Sequence, residues 1–272
     1  MARPELPGAL TLVGAGRMGG AMLTGWLAGG LDPARTVVID PAASAELIDL
    51  CAARGIALNP ARPASADALV LAMKPQGLDA AAAALTAMVG PDTLVLSILA
   101  GKTIADLKAR LPAARAVVRA MPNLPASIGR GATGAVASPE ASPAQRAQAD
   151  ALLRSVGLVE WLDDEALMDA LTAVSGSGPA YVFLLAEALA EAGAAAGLPP
   201  EMAARLARAT VAGAGALLDG DPRSAPQLRR DVTSPGGTTE AALAILMRGD
   251  GLPALLREAV DAAARRAGEL SG

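Results

Sequence analysis

A chain of 272 residues, 53% of them hydrophobic, can fill one large core or two of ordinary size, which excludes a disordered polymer. A formal charge of −4 without a clustered basic stretch excludes an electrostatic footprint for nucleic acid or an anionic membrane surface, so the expected partner is a small molecule. The absence of histidine removes Ser-His-Asp and Cys-His machinery and histidine metal ligands together, and the single Cys51 can form neither an internal disulfide nor a zinc cluster, so no metal is expected.

From 9 to 161, short apolar runs alternate with helical patterns, the order of a largely parallel sheet flanked by helices, an α/β half. Strands are predicted at 9–13, 36–39, 68–73, 94–98, 116–121, 133–137 and 158–161. Helices are predicted at 17–28, 44–54 and 103–110, stopped at Gly29, Gly55 and Pro112 by left-handed caps or chain breaks. Cys51 falls in the second of these and reads as buried filler. With 1% aromatic residues and abundant alanine and glycine, packing must come from small side chains and close helix approach.

Beyond 163 no strand pattern returns, and the chain reads as Ala/Leu-rich helices punctuated by Pro and Gly. A domain boundary is therefore expected at Leu162, dividing 1–162 from 163–272. The stretch 180–196 is apolar almost all round, with Glu187 and Glu191 four apart on one face, so the helix should be covered by more than its own domain, and dimerisation through the helical half is expected. The longest charge-free run, between Asp169 and Glu187, is broken by Gly176, Gly178 and Pro179, and no basic region followed by an apolar core opens the chain; a soluble, cytoplasmic protein is expected.

The chemistry-bearing segments follow the same order. Val13 closes a strand and Gly14-Ala15-Gly16-Arg17-Met18-Gly19 opens a helix, the context in which G-x-G-x-x-G binds a dinucleotide. Gly14 would allow the tight turn, Gly16 the approach of the diphosphate, and Gly19 close helix–strand packing. Asp40 ends the second strand, placed to accept hydrogen bonds from adenosine ribose hydroxyls and to repel a 2′-phosphate, although Pro41 can redirect it and the following helix start can offer amides to a phosphate. Ala72-Met73-Lys74-Pro75 and Leu99-Ala100-Gly101 lie at the carboxyl edge of the sheet, on the nicotinamide side. Ser175-Gly176-Ser177-Gly178-Pro179 breaks a helical region, either as a helix joint or as a close approach to a ligand or another chain. Finally, Thr233-Ser234-Pro235-Gly236-Gly237-Thr238-Thr239 precedes an apolar helix at 241–247, and its four hydroxyls in seven positions exceed what an N-cap needs. Amides and hydroxyls at a helix start make a small cage suited to a carboxylate.

Taken together, VGAGRMG, AMKPQ, SILAGKTI, RAMPNLPA, LMDALTAVSGSGPAYVFLLAEALAEAG and LRRDVTSPGGTTEAAL closely resemble the Δ1-pyrroline-5-carboxylate reductases, enzymes of the last step of proline biosynthesis. The resemblance implies an NAD(P)-binding Rossmann-type domain followed by an all-α dimerisation domain, a homodimer, and larger rings of dimers. By position, Gly14, Ala15, Gly16, Arg17 and Met18 would hold the diphosphate, and Asn59, Ala72, Met73, Lys74, Pro75, Ile98, Leu99 and Ala100 would line the ribose and nicotinamide. Ser234, Gly236, Gly237 and Thr238 would bind the substrate carboxylate, and Thr239 would hydrogen-bond the ring nitrogen as the catalytic residue. Glu165 and Asp231 are weaker carry-overs near the cofactor. Asp40 stands where many members carry a residue friendlier to a 2′-phosphate, so the cofactor is read as NADPH or NADH. A cyclic imine is basic enough to be partly protonated in water, so hydride transfer needs positioning more than a strong acid, which fits a chain without histidine. A β-hydroxyacid dehydrogenase would be expected to carry a substrate lysine in the helical half, but no lysine follows Lys108. A dinucleotide sensor without turnover would have no need of the SPGGTT and SGSGPAY segments.

Overall fold

The computed structural model describes residues 6–63 and 66–271. Contacts gather the chain into two compact units: one reaches to Gly176 and resumes at Ala264, and the other is Ser177–Ala263.

In the first unit the strands are β1 (Leu10–Val13), β2 (Thr36–Ile39), β3 (Ala57–Leu58), β4 (Ala68–Leu71), β5 (Leu94–Ser97), β6 (Val117–Met121), β7 (Gly131–Ala137) and β8 (Gly157–Trp161). They form one sheet in the order β3-β2-β1-β4-β5-β6-β7-β8, parallel except where β7 runs against β6. The strand order reverses between β1 and β4, and in open α/β sheets a ligand crevice opens at the carboxyl ends of such a pair. Alternation along each strand splits the core in two. Leu10 and Leu12 of β1 and Val70 of β4 face α1 (Arg17–Ala28), α2 (Ala45–Arg54) and the later helix Pro143–Arg154. Leu69, Leu71, Val95 and Val117 pack on the other face with α3 (Leu78–Thr86) and α4 (Ile104–Arg110). Trp26, fully buried, donates its indole N–H to the Leu152 carbonyl at 2.7 Å and so ties α1 to that later helix, α5. Cys51 is buried and free, and burial pushes its thiol pKa up, away from reactivity.

The predicted strands match within two residues, with β3, only two residues long, absent from the sequence reading. Ser44 and Thr103 sit at the N-caps of α2 and α4 rather than inside them, each accepting an amide three residues on. Gly55 takes the expected left-handed φ of 71°, but Gly29 stays helical at −78° and Gly30, at +99°, makes the turn.

After α6 (Met168–Leu171) the chain does not break at the glycines; Thr172–Gly176 widens into a π-turn and runs on into α7 (Gly178–Ala195). Glu165–Ala195 is consequently one helical run long and apolar enough to cross a membrane by length and composition alone. In the second unit α7 packs on α8 (Pro200–Gly220) through small residues: a Cβ on Gly193 would lie 3.3 Å from that of Ala203, which is buried. The other apolar face of α7 is open, with Phe183 60% and Leu184 62% exposed. The unit is completed by α9 (Ala225–Asp231), α10 (Thr238–Leu246) and the first part of α11 (Leu252–Ser271), whose last turns belong to the sheet unit. The contact boundary therefore falls at Gly176, past the change of composition at Leu162.

Candidate functional sites: a glycine turn and a hydroxyl turn

Three glycines after β1 do three different things. Gly14 takes φ +85°, and a Cβ there would lie 2.6 Å from the Met73 nitrogen, so the turn crosses directly against the end of β4. At Gly19 a Cβ would stand 2.2 Å from the Gly14 carbonyl oxygen, which presses α1 onto the turn. At Gly16 a Cβ would meet nothing within 4 Å. Gly16 is also the N-cap of α1 and brings no side-chain cap; the Gly20 amide is the one that finds its carbonyl, at 2.8 Å. The amides opening α1 are thus left for a ligand, at the positive end of the helix dipole, beside an unfilled space. A diphosphate fits that arrangement.

Asp40 has a different first task from the one expected. Its Oδ2 accepts the Ala15 amide at 2.8 Å and its Oδ1 the Ala42 amide at 2.9 Å, so it braces the glycine turn against the end of β2. The Ala15 amide, expected among the diphosphate donors, is committed to that carboxylate. Asn59, expected along the ribose and nicotinamide, pairs both side-chain atoms with the Asp40 main chain at 2.8 Å and lines a cleft of about 590 Å³ with Val13, Ile39 and Leu85. Between α1 and α2 a cleft of about 370 Å³ holds Asp40, Ser44 and Glu46 against one cation, Arg17. Hydrogen bonding to Ser44 keeps the Glu46 carboxyl below its usual range. Two carboxylates facing one guanidinium disfavour an added phosphate. Asp40→Asn is expected to move the kcat/KM ratio about tenfold toward NADPH, equivalent to about 1.4 kcal/mol of removed repulsion, read by kinetics with each cofactor.

A third cleft, of about 380 Å³, unites most of the remaining expectations: Gly16, Arg17 and Met18 on one side, Ala72, Met73, Lys74 and Pro75 on another, with Ile98 and Ala100. Pro75 starts a short 3-10 turn and restricts Lys74 to an extended conformation (φ −69°, ψ 137°). Leu99 does not line this cleft and is buried in the core, 2% exposed. Met121 and Pro122 close the same cleft and were not singled out from sequence; their place at the carboxyl end of β6 was the available signal. The weaker carry-overs are both ion-paired: Glu165 with Arg119 at 2.8 Å and Asp231 with Arg223 at 2.6 Å. Behind the cleft the π-turn is anchored, Ser175 Oγ donating to the Ala132 carbonyl at 2.6 Å and Asn123 Nδ2 to the Ser175 carbonyl at 3.1 Å. Wide turns of this kind concentrate at functional sites.

In the helical unit, α10 begins three residues earlier than its apolar pattern, so Thr238 and Thr239 form its first turn. The N-cap is Gly237, without a side-chain cap, and Gly236 at φ +71° makes the bend. Among the described residues the hydroxyls of Ser234, Thr238 and Thr239 make no hydrogen bond, so capping does not account for them. The Gly236 amide, expected on the substrate carboxylate, donates to Glu240 Oε2 at 2.7 Å.

Two family models match the sequence: pyrroline-5-carboxylate reductase dimerisation over residues 165–270, and NADP oxidoreductase, coenzyme F420-dependent, over residues 9–101. The chain is 42% identical to the pyrroline-5-carboxylate reductase of Pseudomonas aeruginosa across 96% of both proteins. It belongs to the pyrroline-5-carboxylate reductase family. A second such reductase, from Synechocystis, is 45% identical over 75% of each chain. The solved pyrroline-5-carboxylate reductase of Coxiella burnetii is 37% identical, covers 97% of this chain and 99% of its own, and superposes with a TM-score of 0.89. The Plasmodium falciparum pyrroline carboxylate reductase with NADP bound, at 24% identity, 97% and 98% coverage and a TM-score of 0.78, shares the fold. Both halves of a reductase of this family are therefore present: a Rossmann-like sheet and a helical dimerisation region.

Proposed function

We propose that the chain reduces Δ1-pyrroline-5-carboxylate to L-proline with NADPH or NADH, the last step of proline biosynthesis. The observation that carries this is the 42% identity, over 96% of both chains, to a reductase of that name. When bound, the reduced nicotinamide would supply a hydride to the C=N carbon of the protonated substrate, whose ring nitrogen keeps its proton and takes up the electron pair of the C=N bond. The amides of Gly16, Arg17 and Met18 would hold the diphosphate, and Ala72 to Pro75 with Ile98 and Ala100 would line the nicotinamide. Ser234, Gly237 and Thr238 would grip the substrate carboxylate together with the Gly236 amide, once Glu240 yields it. Thr239 would donate its hydroxyl proton to orient the ring nitrogen or accept the iminium N–H. The work is positioning, which suits a site without histidine.

The functional division is placed at Leu162, with 1–162 binding the nucleotide and 163–272 supplying the substrate turn and the dimer face. Support for a homodimer, or a ring of such dimers, comes from the open apolar face of α7 and from the dimerisation match that covers it. The same support favours a covered protein interface over a membrane span for 165–195, and a cytoplasmic enzyme drawing on the soluble nucleotide pool. The decisive assay follows oxidation of NADH and of NADPH separately with racemic pyrroline-5-carboxylate. Formation of L-proline with either is the expected result; silence with both overturns the proposal.

A further inference from the structure

Arg119 lies on β6 with its side chain 7% exposed, and a buried guanidinium is tolerated only where its donors are met. Its Nη1 donates to Glu165 Oε1 at 2.8 Å, and its Nη2 reaches Ser271 Oγ at 3.5 Å. The same Glu165 oxygen accepts the amide of Ile104, the first residue of α4, at 3.0 Å. Beside this cluster is a cavity of about 50 Å³ whose lining includes Arg119, Asp169, Thr172 and Ser271 together with Leu99, Ala100 and Gly101. Gly101 is left-handed, φ +71°, and a Cβ there would lie 2.6 Å from the Leu270 carbonyl oxygen, so the last turn of α11 rests directly on Gly101, within the loop 98–101. That short loop leads from β5 into α4 and presents Ile98 and Ala100 to the cleft of about 380 Å³ on its other side.

We infer that Arg119 is a positioning residue for hydride transfer. Acting through Glu165 on the start of α4, and with Ser271 on the last turn of α11, it fixes the 98–101 loop from behind so that the loop's front can hold the nicotinamide ring at reacting distance. The inference rests on the proposed function. It assigns Glu165 an indirect role in place of direct cofactor contact. Grip on the nucleotide comes from the glycine turn, which Arg119 does not touch; alignment of the ring comes from the loop. Losing Arg119 therefore separates the two, because a misplaced reacting atom slows the chemical step without releasing the cofactor.

Arg119→Met is expected to lower kcat about 100-fold, with the dissociation constant of NADH or NADPH, read by quenching of cofactor fluorescence, changing no more than about threefold. The primary isotope effect with cofactor deuterated at the transferred position should rise as hydride transfer becomes rate-limiting. Arg119→Lys keeps a cation against Glu165 and should recover about tenfold of the loss. Gly101→Ala disturbs the other side of the same contact without altering charge and should give the same kcat-selective signature. An Arg119→Met enzyme with unchanged kcat and isotope effect, or one that loses cofactor binding and turnover in step with no recovery in the lysine variant, overturns the inference. If the unaltered enzyme is silent with both cofactors, the proposed function fails, and that result is distinct from any difference between variants.

Discussion

Thr239→Ala is expected to lower kcat about 100- to 1,000-fold while KM for NADH or NADPH stays near its original value, the size of effect seen when one donor to a reacting centre is removed. Thr239 is half-buried in the first turn of α10, and its hydroxyl has no partner among the described residues. Gly237, not Thr239, occupies the N-cap, so alanine removes no cap and should leave the stability unchanged within about 0.5 kcal/mol. The loss would then be chemical. Steady-state kinetics with pyrroline-5-carboxylate check it, and Thr239→Ser, which retains the hydroxyl, should restore most of the rate. Equal losses in kcat and in cofactor affinity would contradict the role.

The second large effect is expected at Gly16, and its neighbours supply the control. Gly16 has φ −64° and ψ −160°, at the edge of the extended region open to alanine, and its added methyl would touch no protein atom. Gly16→Ala should fold normally yet raise KM for both cofactors about 10- to 100-fold, because the methyl occupies the space a diphosphate needs against the α1 amides. Gly14→Ala and Gly19→Ala should instead lower the melting temperature, since each places a Cβ within 2.6 Å or less of backbone. The same substitution at three positions of one motif thus separates ligand room, turn geometry and helix packing. Thermal unfolding alongside cofactor titration would show it, and a Gly16 variant with unchanged KM would remove the diphosphate from this turn.

Much of this was legible in the sequence where the signal is local. Apolar runs closed by Gly14 and by Asp40-Pro41 gave β1 and β2, and Ser44 and Thr103 marked helix starts because capping needs a side chain three residues before its amide. Strand β4 was read two residues too long because Ala72 and Met73 remain apolar, whereas the chain leaves the sheet at Leu71 so that Gly14 can cross it. The hydroxyl turn was recognised, but its threonines were placed before α10 instead of inside it, since the apolar period begins only at Ala241. What sequence could not carry are pairings set by tertiary approach. Asp40 reaches the Ala15 amide across 25 residues, and Arg119 meets Glu165 across 46, neither at a spacing that any helix or strand period predicts. The family resemblance supplied residue assignments, and the structure adds intrachain partners to three of them: Ala15 and Asn59 bond Asp40, and Glu165 bonds Arg119.

The return of the last turns of α11 to the sheet has a consequence for synthesis. Most of the nucleotide-binding layer is complete early in translation, but the back of its 98–101 loop is finished by Leu270 and Ser271. A chain still held at the ribosome, with those residues in the exit tunnel, would carry the sheet but lack the backing for its hydride-side loop. The hydride-side loop therefore gains its backing only after residues 270 and 271 have emerged.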